Sequence, residues 1–173
     1  MKGKIPLPDP VGILMMDCDG VLTDGGMYFD AQGQALKRFD VKDGLALAAL
    51  ARMGFPTAVI TGDDSAITRA RCERLGIAHP CIGRMDKELA VAEVLAAAGV
   101  DASQAVYIGD DVTDLGAMRM VGLSVAVADA ADGVLAEADW ITQRPGGQGA
   151  VREVCDAIIA QLVAHGRVEP WYS

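Results

Sequence analysis

An α/β fold, built as a three-layer, Rossmann-like parallel sheet with helices on both faces and a projecting β-hairpin, is predicted by three features of the sequence. Strand and helix patterns alternate along nearly the whole chain, which requires right-handed crossovers over a parallel sheet. Apolar runs break abruptly into polar clusters at Asp17/Asp19, Thr61/Gly62 and Asp110/Asp111/Asp114. Each cluster follows the carboxyl end of a predicted strand, the edge at which open α/β sheets bind ligands. Polar strand ends with no function would scatter over both edges.

The elements follow in order. Val11 to Met16 is an apolar run that reads as a buried strand, ended by Asp17-Cys18-Asp19-Gly20-Val21. In an extended segment Asp17 and Asp19 face the same side and Cys18 the other, so the two carboxylates can converge on one phosphate and one cation. Aromatic residues on both sides of a glycine-containing turn predict a hairpin over about 26–39. Asp43 is expected to cap a helix running through Met53, with Gly54 as its stop.

Pro56 to Ile60 reads as the second buried strand and leads into Thr61-Gly62-Asp63-Asp64-Ser65. A helix from Ala66 to Leu75, a short strand near His79 to Ile82 and a helix capped by Asp86 and closed by Gly99 come next. The strand Ala105 to Ile108 ends in Gly109-Asp110-Asp111-Val112-Thr113-Asp114. A helix to Met120, a strand Leu123 to Val127, a helix near Gly133 to Ala138, a strand Trp140 to Thr142 and a helix Ala150 to Val163 complete the alternation. The tail of about 165–173, with Pro170, Trp171 and Tyr172, is suited to dock on another surface.

Length and composition bound the function. A chain of 173 residues with 51% hydrophobic content supports one core, so 1–173 reads as a single domain. Fifteen basic against 24 acidic residues give a net charge of −9, which argues against a nucleic-acid partner. Four cysteines without C-x-x-C spacing and two histidines favour neither a zinc site nor a disulfide framework, and point to the reducing cytoplasm. No apolar stretch approaches the ~20 residues that span a bilayer, and the prolines at 6, 8 and 10 argue against a signal peptide, so no membrane partner is expected.

Carboxylates gathered at one sheet edge repel by about 4 kcal/mol per pair at ~4 Å for an effective dielectric near 20, so a cation belongs there. An all-oxygen site with few protein ligands suits Mg²⁺. An EF-hand is excluded because Val21 and Leu22 stand where a ligand and the turn glycine are needed. Asp17 is the candidate nucleophile on phosphorus, and Asp19 the candidate acid and base. The Thr61 hydroxyl and the Gly62 amide offer neutral donors for phosphoryl oxygens, and Lys87 a charged one.

These residues resemble the four motifs of the haloacid dehalogenase superfamily: Asp17-Cys18-Asp19-Gly20-Val21, Ile60-Thr61-Gly62, Lys87, and Gly109-Asp110-Asp111 with Asp114. The resemblance implies an aspartyl-phosphate route with Asp17 as nucleophile, Asp19 as acid and base, and Thr61 and Lys87 on the phosphate. It also implies Mg²⁺ held by Asp17, the Asp19 carbonyl and Asp110, with Asp111 and Asp114 in support. Leu22-Thr23-Asp24-Gly25, Phe39 to Gly44, Val121 to Ala130 and Gly146 to Cys155 narrow the likeness to the 3-deoxy-D-manno-octulosonate 8-phosphate phosphatases. Those enzymes are capless homotetramers whose hairpins form a central barrel, and here the segments between the motifs leave no room for a cap domain.

The resemblance implies a phosphorylated eight-carbon ketosugar acid as substrate. Where those enzymes usually carry Arg after Thr-Gly, this chain has Asp63, which with Gly62 and Arg74 resembles the substrate-binding set of phosphatases acting on nine-carbon ketosugar acid 9-phosphates. Arg38, Lys42, Arg144 and Arg152 are further candidates for the substrate carboxylate. Two rivals of other classes remain at this point, a phosphoacceptor receiver domain and a non-catalytic scaffold. The D-x-D on the first strand, with its built-in acid and base, favours turnover over both.

Overall fold

The computed structural model describes residues 4–169, excluding the side chains of Gln34 and Ala35. The docking expected of Pro170, Trp171 and Tyr172 lies outside the described residues. Strands β1 (Ile13–Met16), β4 (Thr57–Thr61), β5 (His79–Ile82), β6 (Ala105–Gly109), β7 (Leu123–Ala126) and β8 (Trp140–Ile141) form one six-stranded sheet in the order β5-β4-β1-β6-β7-β8. Every pairing in it is parallel. Strands β2 (Tyr28–Asp30) and β3 (Gly33–Leu36) pair antiparallel as the separate hairpin, and a bridge between Thr23 and Phe39 closes its base.

Burial explains the strand order. All residues of β1, β4, β6 and β7 are buried, as strands covered on both faces must be. β5, which carries Pro80, is half-exposed and takes the edge, where the missing proline N–H costs no ladder bond. Helices α1 (Val41–Arg52), α2 (Ala66–Leu75), α3 (Lys87–Ala98), α4 (Leu115–Met118), α5 (Asp132–Glu137) and α6 (Ala150–Ala164) make the connections or close the chain. α1 packs on α2 and α6, and α3 on α4, one group to each face as right-handed crossovers demand. Among the described residues no helix is long and apolar enough to cross a membrane.

Two caps differ from expectation: Asp86 stands at the start of α3, but its side chain makes no cap hydrogen bond and pairs with Arg84 at 2.8 Å instead. Asp40, not Asp43, caps α1, accepting from Lys42 N at 2.6 Å and Asp43 N at 3.3 Å. Asp43 is buried and caps a different helix: its carboxylate accepts from Gly149 N at 3.2 Å and Arg152 N at 2.7 Å, at the start of α6. Gly149 has no side chain to cap that helix itself, and Asp43 supplies the acceptor from 106 residues away.

Candidate active site

Register assembles the site. Met16 of β1 pairs with Val59 on one side and Ile108 on the other, so Asp17, Thr61 and Asp110 leave three adjacent strands at the same level. The chain order reverses between β1 and β6, and the crevice at such a reversal is where these sheets bind ligands. Gly20, at φ +87°, lets the loop after β1 pass over Asp110, whose carboxylate a Cβ at residue 20 would strike. Gly146 packs on the carbonyl of Gly20, and Gly147 N donates to Val21 O at 2.9 Å, so a late segment of the chain clamps this loop.

Lys87, the first residue of α3, is buried and lies 3.0 Å from Asp17 Oδ2 and 2.8 Å from Asp114 Oδ1. Burial alone would lower its pKa, but the Asp17 and Asp114 charges outweigh that and raise it. Asp114 Oδ1 also accepts from the Tyr107 hydroxyl at 2.8 Å, and its Oδ2 from Asp110 N at 3.1 Å. Asp114 is therefore a fully satisfied anchor that orients Lys87 and the Asp110 loop. Tyr107 was not anticipated: as an apolar-flanked residue inside a buried strand, it carries no polar signal in the sequence.

Burial pushes the Asp17 carboxyl up to about 6 and the Asp110 carboxyl up to about 7, with the neighbouring carboxylates adding to both shifts. Carboxylate oxygens of Asp17, Asp110 and Asp114 lie within 4.8 Å of one another, and Asp110 Oδ1 is buried with no hydrogen-bond partner. Three clustered carboxylates with an unsatisfied buried oxygen fit a hard divalent cation, which would relieve their repulsion. Mg²⁺ suits this oxygen donor set, in which Asp17 and Asp110 could serve as side-chain ligands. Both oxygens of the Asp19 side chain are paired with Lys37, and the metal role the motif implies falls on its main-chain carbonyl.

Thr61 is buried, and its Oγ1 accepts from Asp63 N at 3.2 Å, which leaves the hydroxyl proton to donate. The Met85 thioether rests on Gly62, where a Cβ would collide with it. Asp63 does not face the site as a free substrate ligand. Its Oδ2 accepts from Ser65 Oγ at 2.7 Å and Thr68 Oγ1 at 2.6 Å and lies 2.9 Å from Lys37 Nζ. Burial would raise the Asp63 carboxyl, but the Thr68 and Ser65 hydroxyls and Lys37 outweigh it and hold it at about 2.

Arg74 is not brought to the other candidates. It is exposed in the last turn of α2, while Asp63 precedes the start of that helix, and a ten-residue helix is about 15 Å long. Of the further cations, Arg38 pairs with Asp24 at 3.0 Å, and Lys42, Arg144 and Arg152 line a cavity of about 470 Å³ beside the start of α6.

A first strand ending in Asp17, a Thr-Gly turn on its neighbour, a lysine delivered by a helix start and an acidic loop on the other side match the plan of a haloacid dehalogenase-like hydrolase. The family described in those words matches residues 76–153. The 3-deoxy-D-manno-octulosonate 8-phosphate phosphatase KdsC of Yersinia pestis is 44% identical over 159 residues, covering 92% of this chain and 83% of that protein. Its namesake in Escherichia coli K12 is 39% identical over the same shares. The cobalt-bound deoxy-D-mannose-octulosonate 8-phosphate phosphatase of Haemophilus influenzae superposes with a TM-score of 0.85 at 42% identity, covering 88% of this chain and 90% of that one. A Moraxella catarrhalis enzyme in complex with magnesium, phosphate and KDO gives 0.83 at 40% identity, covering 87% of each chain. The chain belongs to the family of the 3-deoxy-D-manno-octulosonate 8-phosphate phosphatases.

Proposed function

We propose that this protein is a Mg²⁺-dependent phosphomonoesterase that hydrolyses 3-deoxy-D-manno-octulosonate 8-phosphate. The observation that carries the substrate is the 44% identity over 92% of the chain with an enzyme of that name. The alternative of a nine-carbon 9-phosphate drew on Asp63 and Arg74. The first is committed to Lys37 and the second sits at the far end of α2.

The proposed chemistry uses the residues gathered at the sheet edge. An Asp17 carboxylate oxygen attacks phosphorus as the bond to the sugar oxygen breaks, and Asp19 gives its proton to the departing alkoxide. Asp19 then takes a proton from water as the water oxygen attacks the aspartyl-phosphate, releasing phosphate and restoring the Asp17 carboxylate. Thr61, the Gly62 amide and Lys87 hold the equatorial oxygens through both steps. Bound Mg²⁺ supplies charge neutralisation for the phosphoryl oxygens.

The hairpin supports a homotetramer. Met27, Tyr28, Phe29 and Leu36 are each at least half exposed, an apolar patch of the kind that protein contacts cover. Light scattering at micromolar concentration is expected to give four chains, and a monomer would overturn that part. The substrate is tested by comparing 3-deoxy-D-manno-octulosonate 8-phosphate with nine-carbon ketosugar acid 9-phosphates and hexose phosphates in the presence of Mg²⁺. A clear preference for the eight-carbon acid is expected, and equal rates on all would overturn it.

A further inference from the structure

The Asp19 carboxylate is held at both oxygens. Lys37 Nζ donates to Oδ1 at 2.9 Å and to Oδ2 at 2.7 Å, and the Thr23 hydroxyl reaches Oδ1 at 3.3 Å. Contacts to both oxygens fix the rotation of the carboxyl about its own bonds, not merely its distance. Lys37 belongs to the arm leaving the hairpin, yet its side chain is 1% exposed. A four-carbon stem has enough rotamer freedom that one ion pair holds it poorly. Here a second carboxylate, Asp63, takes the same ammonium at 2.9 Å, and Asp63 is itself fixed by Ser65 and Thr68. The chain from α2 through Asp63 and Lys37 to Asp19 has no slack at any link.

We propose that Lys37 is a positioning residue for the phosphatase reaction, turning the Asp19 carboxyl toward the sugar oxygen that leaves, and that Asp63 keeps Lys37 in place rather than binding substrate. This rests on the roles of Asp17 and Asp19 given above. A general acid acts only on a leaving oxygen within hydrogen-bond reach and in the right orientation, so a swinging carboxyl loses rate without losing substrate affinity. The loss is selective. An alkoxide needs the proton in order to depart, whereas p-nitrophenolate departs without it.

The experiment compares Lys37→Met, Lys37→Arg and Asp63→Asn with wild type on two substrates, 3-deoxy-D-manno-octulosonate 8-phosphate and p-nitrophenyl phosphate. Thermal melts establish that each variant is folded. Lys37→Met is expected to lose at least about tenfold more kcat/KM on the sugar phosphate than on the aryl phosphate, with the loss in kcat, as befits part of a general-acid contribution. Lys37→Arg is expected to regain most of it, and Asp63→Asn to show the same selectivity more weakly. Equal proportional losses on both substrates, or a raised KM at unchanged kcat, overturn the proposal. If Lys37→Met does not fold, a folded Asp63→Asn with an unchanged substrate ratio overturns it equally. Asp17→Asn separates the two readings. An active Asp17→Asn refutes the aspartyl-phosphate route itself, whereas an inactive one beside a wild-type-like Lys37→Met refutes only the role of Lys37.

Discussion

Lys87 Nζ lies 3.0 Å from Asp17 Oδ2, so the ammonium proposed to hold the phosphate already touches the carboxylate proposed to attack it. Among the described residues Lys87 is the one cation in ion-pair contact with both Asp17 and Asp114, and Lys87→Met removes it. Hydrolysis of p-nitrophenyl phosphate is expected to fall about 10²- to 10³-fold, the usual cost of losing a preorganised charge-stabilising donor. Steady-state kinetics at saturating Mg²⁺ checks it.

Asp17→Asn is expected to abolish turnover, because an amide is no nucleophile toward phosphorus. Asp19→Asn is expected to leave trace turnover with phosphoenzyme accumulating, since the water is no longer activated. Acid-quench trapping of labelled protein distinguishes the two variants. Full activity in either one refutes its assigned role.

The raised carboxyls couple the metal to pH. Asp17 and Asp110 move from an ordinary 3.8 to about 6 and about 7 in the folded, metal-free protein. Their contribution to stability is therefore fully present below 3.8 and lost as pH rises through those values. A divalent cation favours the ionised pair and offsets the loss. The rise in Tm on adding Mg²⁺ is expected to be small near pH 5 and larger at about pH 8, as differential scanning calorimetry can record.

Gly20→Ala places a methyl against the Asp110 carboxylate and forces φ +87° on a residue with a Cβ. Displacement of Asp110 is expected to weaken Mg²⁺ binding at least about tenfold, in line with the cost of disturbing a metal ligand's support. The Mg²⁺ dependence of the rate reports it.

Asp43→Ala strips two amide donors at the start of α6, one buried and one part-buried, of their acceptor. A loss of about 1–3 kcal/mol in unfolding free energy is expected, the cost of a lost cap and of unsatisfied donors. Urea denaturation checks it, and Asp43→Asn is expected to recover part of the loss.

The strands and helices were legible because their signals are local. The apolar runs at β1, β4 and β6 each end at their polar cluster, and Gly76 and Gly99 close α2 and α3 in the left-handed conformation. Asp17, Thr61 and Asp110 were legible as a set because parallel register brings strand ends to one edge, and Lys87 because it opens the helix after β5. What was not legible depends on partners remote in sequence. Asp43 reads as a local cap until α6 packs beside it, and Lys37, within the predicted hairpin, carries no signal of its own until Asp19 and Asp63 enclose it. Asp63, read as part of a substrate-binding set with Arg74, proves to be the partner of Lys37.

The clamp of Gly146 and Gly147 on the Gly20–Val21 turn has a bearing on synthesis. A ribosome must release the chain through Gly147 before the turn beside Asp17 receives this support, and β6, which delivers Asp110, also emerges well after β1. Nascent fragments that stop short of Gly147 therefore carry Asp17 without the clamp that finishes the turn beside it.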